Sequence, residues 1–309
     1  MGVTWAAAQA TSVASPASVT GGSIRIDAIS VPLNPEKPSE TAIGDFRYAG
    51  GIVLTSRQTD QLHGLSDIEI QGPDRLTAVS DFGVLVEARL VFDSARLVGL
   101  TDARITPLVG EDGTPLLDKE NADAEGLALL PGGDRLVSFE RRHRIWVYPA
   151  GGGRPRPAPK PEAPLPPNGG MEALAADPDA GADAYIVGAE VTGETWTCRL
   201  SSPSCIEGPI VAKPDGFGLV AIRRLPEKQS AYLLRAFDEN RGSRSSLHII
   251  RGTHIVARLD LAPPMTVDNF EGLAAVRRAD GGIRFYLISD DNASASQRTI
   301  LMAFDWRPR

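Results

Sequence analysis

The chain has 309 residues, of which 42% are hydrophobic and 23% charged, proportions of a folded globular protein that exclude a disordered chain. Acidic residues outnumber basic ones, 39 to 32, for a formal charge of -7. That balance argues against nucleic acid as a partner, which needs clustered Lys and Arg, and no apolar run is long enough for a transmembrane helix.

Residues 1–20 are rich in Ala, Ser and Thr, and Ala8-Gln9-Ala10 fits the small-x-small pattern of a signal-peptidase site. The basic start and most of the apolar stretch of an export signal are missing, so a truncated signal peptide and a disordered tail stand side by side as readings. The remainder, 21–309, reads as one domain.

From there the chain repeats itself. Segments opening at His63, Glu125, Glu172, Phe217 and Glu271 each contain a short apolar strand, a turn rich in Gly, Pro or Asp, and a second strand. Further apolar runs follow, among them VLVEARLVF, RIWVYPA, TWTCRL, SLHIIRG and TILMAFDW. The openings recur 45 to 62 residues apart, the length of a four-stranded propeller blade. The expected fold is all-β: a β-propeller of five visible four-stranded blades. FRYAGGIVLTS and the insertion between Leu97 and Asn121 leave room for a sixth. The last copy stops after three strands, and SIRIDAISVPL near the N-terminus is expected to supply its fourth, closing the ring and removing exposed edges. The Pro/Gly-rich connector GGGRPRPAPKPEAPLPPNGG reads as a surface crossing between blades two and three.

The second repeat suggests a site. Pairing its strands about Pro131–Asp134 sets Leu130 opposite Arg135 and Glu125 opposite Glu140, with both carboxylates at the open end. The same construction predicts one column of residues at His63, Glu125, Glu172, Phe217 and Glu271, and a second at Asp81, Glu140, Glu190, Asp238 and Asp290. Eight acidic residues gathered on one face would repel, and their pKa values would rise unless a cation neutralised them. Hard oxygen donors without a Cys or His cluster favour Ca²⁺, with Glu125, Glu140, Glu172, Glu190, Asp238, Glu271 and Asp290 as metal ligands. The competing reading is that these residues merely cap strand ends.

Cations follow the second column: Arg141, Arg142, His143 and Arg144, then Arg241 and Arg244, then Arg298. Arg142, Arg241 and Arg298 are the candidates for holding a small anionic ester substrate, since guanidinium forks match phosphate and carboxylate oxygens; ion pairing with the ring is the alternative. His63 and Asp81 are the catalytic candidates. A Ser66 or Ser80 triad with His63 has little support. Gly216, Gly218 and Ala221 form a dinucleotide-like G-x-G-x-x-A, but a strand and not a helix follows. Cys198 and Cys205 flank a Ser/Pro turn, and their pairing would suit a periplasmic or secreted address, against two free thiols.

Through HGLSDI, AVSDFG, DAEGLAL, SFERRHRI, NGGMEAL, NFEGLA and SDDNASASQRTILMAF the chain resembles the bacterial phytase-like family described as having esterase-like activity of phytase. The resemblance implies a propeller, export, and a phosphoesterase or esterase activity derived from calcium-dependent phytases. A calcium-dependent phosphate-ester hydrolase is the leading expectation. A calcium-dependent lactonase or carboxyl esterase, and a non-catalytic binding propeller, are the alternatives.

Overall fold

A computed structural model describes residues 21–308. Residues 1–20, on which the signal-peptide reading rests, lie outside the described residues. Five antiparallel sheets stand around a common axis, each running outward from an inner strand. The inner strands are Leu65–Gln71, Ala124–Leu129, Ala173–Ala176, Gly218–Leu225 and Asn269–Arg277, and each contacts the next. Close approach there explains Gly126: a Cβ on it would lie 2.5 Å from the Glu172 carbonyl of the following blade. The five-bladed β-propeller is therefore as expected, with a single helical turn, Lys119–Ala122, the only α-helix among the described residues.

Ring closure uses a different N-terminal segment from the one anticipated. Phe46–Thr55, from FRYAGGIVLTS, pairs with the C-terminal strand Ile300–Trp306, with Phe46 opposite Trp306 and Ile52 opposite Leu301. Asp27–Ser30, from SIRIDAISVPL, then pairs on the outside of Phe46–Thr55. The longer segment takes the inner place because it has more to bury. Phe46 and Ile52 are fully enclosed, and the Phe46 ring stacks on Trp306 at 6.4 Å; each such side chain contributes about 1.5–3 kcal/mol. Ile29, by contrast, is exposed. The insertion after Leu97 completes the fourth strand of blade one, Arg96–Pro107, and then forms a loop and the helical turn, so no sixth blade forms among the described residues.

The proline-rich connector contributes only an edge strand, Arg156–Ala158, where a missing N–H is tolerated. Cys198 and Cys205 form a disulfide that ties blade three's third strand to its short outer strand, Ile206–Glu207.

The axis itself is occupied by a buried ion pair. Arg223 donates to both carboxylate oxygens of Asp67 at 2.9 and 3.0 Å, to the Ile68 carbonyl at 2.6 Å and to the Leu174 carbonyl at 2.9 Å. Asp67 in turn accepts from the backbone N–H groups of Leu127 and Leu273, at 2.9 and 3.2 Å. One pair thus joins the inner strands of all five blades, and these extra hydrogen bonds are what a buried pair needs to offset its desolvation.

Candidate functional site

Four of the five inner strands carry a β-bulge near their start, at Ser66, Glu125, Val220 and Glu271. Glu172 stands at the corresponding point, one residue before the third inner strand. A bulge inserts one unpaired residue and re-aims its side chain, a device common beside functional sites. The bulge also breaks the register predicted from the sequence. Arg135 pairs with Leu129, not Leu130, and the N–H of Glu140 bonds the Asp123 carbonyl instead of facing Glu125.

The ring positions shift accordingly. In blades one and four the residues equivalent to Glu125 are Ser66 and Val220, three places beyond His63 and Phe217. The second column ends at Asp81, Glu140, Glu190 and Asp290 in four blades, because their backbones pair with Gly64, Asp123, Gly170 and Asn269. In blade four the residue at this level, opposite Gly218, is Arg235. Asp238 lies three residues further out, pairs with Arg241 at 3.3 Å and does not line the cavity. The cause is strand length: Gln229–Asp238 extends past the level at which the other second strands stop.

A cavity of ≈ 310 Å³ opens among these strand ends, and of the second column Asp81, Glu140 and Asp290 line it but Glu190 does not. Seven carboxylates line it, from Asp81, Asp123, Glu125, Glu140, Glu172, Glu271 and Asp290, against three cations, Lys119, Arg141 and Arg235. The cations divide the ring. Arg235 reaches Glu271 at 2.5 Å, Glu190 at 3.0 Å and Glu172 at 3.8 Å, and donates to Asn269 at 2.9 Å. Burial acts to lower its pKa, but the three glutamates outweigh it and hold the guanidinium firmly charged.

On the other side, carboxylate oxygens of Asp123, Glu125 and Glu140 lie within 4.8 Å of one another, close enough to hold one metal ion. Asp123 is paired with Lys119 and Arg141, each at 2.6 Å, and Glu140 accepts from the N–H groups of Gly169 and Gly170 at 2.7 and 2.5 Å. Among the described residues Glu125 has neither a hydrogen bond nor an ion pair through its carboxylate. Burial, then Glu172, Glu271, Glu140 and Asp123, push its pKa well above the usual carboxylate range.

Burial dominates elsewhere in the ring as well. It raises Glu271 to about 8 despite Arg235, and it raises Asp290 to about 6, helped by Asp81. Asp81 is also pushed up by burial, against the pull of Lys119, which bonds one of its oxygens; the other oxygen is buried without a partner.

The remaining sequence candidates lie around the rim. His63 does not line the cavity. Its Nδ1 is 2.8 Å from Asp291, whose carboxylate also accepts from Thr299 at 2.8 Å and from the Gly64 N–H at 3.1 Å. Burial acts upward on Asp291, yet these hydrogen bonds hold its pKa below the ordinary value. Arg142 is exposed and paired with Glu120 at 2.9 Å. Arg298 pairs with Asp268 at 3.2 Å and lines a neighbouring cavity. Lys119, Asp123, Arg235 and Asp291 lie outside the two predicted columns and the cationic run, and Arg141 belongs only to the run. Asp123 was visible in DAEG, two residues before Glu125.

No curated protein sequence matches the chain. Among solved structures, a Bacteroides caccae protein of unknown function is 12% identical with a TM-score of 0.42, over 81% of this chain and 93% of that one. YCF48 bound to D1 peptide is 14% identical with a TM-score of 0.38, over 81% and 65%. The phytase-like family profile, described as esterase-like activity of phytase, matches residues 60–293, and the chain belongs to that family.

Proposed function

We propose that the protein is a calcium-dependent hydrolase of phosphate esters, acting in the periplasm or outside the cell. The observation that carries this reading is the trio Asp123, Glu125 and Glu140, in which Glu125 is surrounded by carboxylates and pairs with no cation among the described residues. Its donors are all hard oxygens, which suit calcium better than zinc or copper. These three residues would hold the ion, which when bound would polarise a phosphoryl oxygen and lower the pKa of a water. The disulfide supports the oxidising compartment.

The chain's own groups supply the rest. Lys119, Arg141 and Arg235 line the cavity beside the trio, held in place by their ion pairs, and can orient an ester oxygen. Asp290, raised to about 6, is suited to carry a proton near neutrality, and Asp81 beside it is also shifted upward by burial. A second reading, hydrolysis of a lactone or carboxyl ester, draws on the His63–Asp291 pair at the rim, where Asp291 would orient the imidazole as a base. Arg142 and Arg241 are too far committed to surface pairs to be the first choice for substrate.

Elemental analysis joined to a screen of phosphomonoester, lactone and acyl ester hydrolysis, with and without chelator, tests the proposal. Calcium in the purified protein, phosphomonoester turnover that chelator abolishes, and loss of both in Glu125→Gln are expected. Turnover of any ester that survives complete metal removal would overturn it, as would metal-replete protein inactive on all three classes.

A further inference from the structure

A second cavity, of ≈ 690 Å³, opens between blades four and five and shares Arg235 and Asn292 with the acidic one. Its size is that of a small-molecule site. Its walls have a different chemistry. Phe237 is 69% exposed, unusual for so large an apolar residue, and lines this cavity. Neutral polar groups share the cavity: Asn292 donates to Gln297 at 3.2 Å, which orients both amides, and Ser243, the cross-strand partner of Phe237, and Ser296 add hydroxyls.

The charge pattern decides what can enter. Eight carboxylates and four cations line the two cavities together. Each cation is already engaged: Lys119 with Asp81 and Asp123, Arg141 with Asp123, Arg235 with three glutamates, and Arg298 with Asp268. A substrate with several phosphates would bring more negative charge than four cations, each already sharing its charge with a carboxylate, can receive. A neutral body with hydroxyls and one apolar face meets complementary groups instead, since the ring of Phe237 can cover the apolar face while the amides bond the hydroxyls.

We infer that the second cavity holds the body of the ester whose reacting group enters the acidic cavity, and that this body is neutral and sugar-like, carrying a single ester group and not a set of phosphates. The inference rests on the hydrolase reading for the reacting group, whereas binding of the body stands apart from it.

The experiment has two arms. In the first, kcat/KM is measured for a hexose 6-phosphate, methyl phosphate and inositol hexakisphosphate; the hexose ester should exceed both others by about tenfold, and Phe237→Ala should remove most of that preference. In the second, binding of methyl α-glucoside, which has no reactive ester, is followed by saturation-transfer NMR in the same two proteins. Signals in the parent that vanish in Phe237→Ala are expected, with little change in Tm because the ring is exposed. Glucoside binding that depends on Phe237, without hydrolysis of any ester, would uphold the cavity assignment while the hydrolase reading fell. Hydrolysis without glucoside binding, or inositol hexakisphosphate preferred over the hexose ester, would overturn the inference and leave the hydrolase reading standing. Absence of both would end both.

Discussion

The two sides of the carboxylate ring are built from the same repeat and differ in where their positive charge comes from. Glu172, Glu190 and Glu271 converge on Arg235, a cation carried by the chain at the level where the other four blades end in Asp or Glu. Asp123, Glu125 and Glu140 have backbone amides, Lys119 and Arg141 around their edges, but among the described residues no cation pairs with Glu125. In one half every carboxylate reaches the shared cation Arg235, and in the other Glu125 stands without a partner among the described residues and must protonate or take up a cation. A three-residue overhang of one strand, which sets Arg235 instead of Asp238 at ring level, creates that division.

Removing the internal cation should have the largest effect. Arg235→Met leaves buried Glu172 and Glu271 and half-buried Glu190 facing one another, and the loss of a partner from a buried charge cluster costs about 3–5 kcal/mol. Urea denaturation at pH 7.5 should show that loss, and repetition at pH 5, where the glutamates can protonate, should show a smaller one. An equal loss at both pH values would mean that packing, not charge, is what Arg235 contributes.

The pH dependence of the metal-free protein sharpens the comparison further. Glu271 has its pKa raised from 4.5 to about 8, so the native state holds a proton that the unfolded state has released. Stability must then fall as pH rises between those values, by about 1.4 kcal/mol per unit for each fully titrating carboxyl. His248, whose pKa burial and Arg258 lower, contributes in the opposite sense only below its ordinary value of 6.5. Glu69, raised to about 7 by burial, adds to the fall. From pH 6.5 to 8 in chelator, Tm should therefore decrease, Glu271→Gln should flatten the decrease, and calcium should suppress it. A Tm that rises across this interval would contradict the raised carboxyls.

Asp238→Asn should have the smallest effect, within about 0.5 kcal/mol of the parent as for most surface changes. Its calcium affinity should equal the parent's, because Asp238 is occupied with Arg241 outside the cavity. Weaker calcium binding in this variant would restore it to the ring.

Much of the fold was legible because the blade repeat is written in hairpin chemistry that depends on local residues. The five openings, the short apolar strands and the proline-rich crossing all correspond to structure. What the residues did not reveal was how far each strand runs past its turn. HGL and EGL look alike, yet the bulges align Ser66 with Glu125 and leave His63 at the rim. AFD resembles the other acidic endings, yet Arg235 three residues earlier is the one at ring level. Bulges and strand overhang are settled by packing between neighbouring blades, which no single repeat encodes. The same holds for closure, where burial of Phe46 against Trp306 decided which N-terminal strand went inside. Lys119 enters the site from a helical turn inserted between blades, outside the repeat altogether.

Calorimetric titration of calcium into metal-free parent and Glu125→Gln protein, with Tm recorded on the same samples, tests the central claim most directly. The account predicts one calcium site in the parent and none in the variant. It also predicts a stabilisation of the parent of about 2.7 kcal/mol at a hundredfold excess over Kd. A parent that binds no calcium, or a Glu125→Gln variant that binds it as tightly as the parent, would contradict the assignment of Asp123, Glu125 and Glu140 as the metal-binding half of the ring.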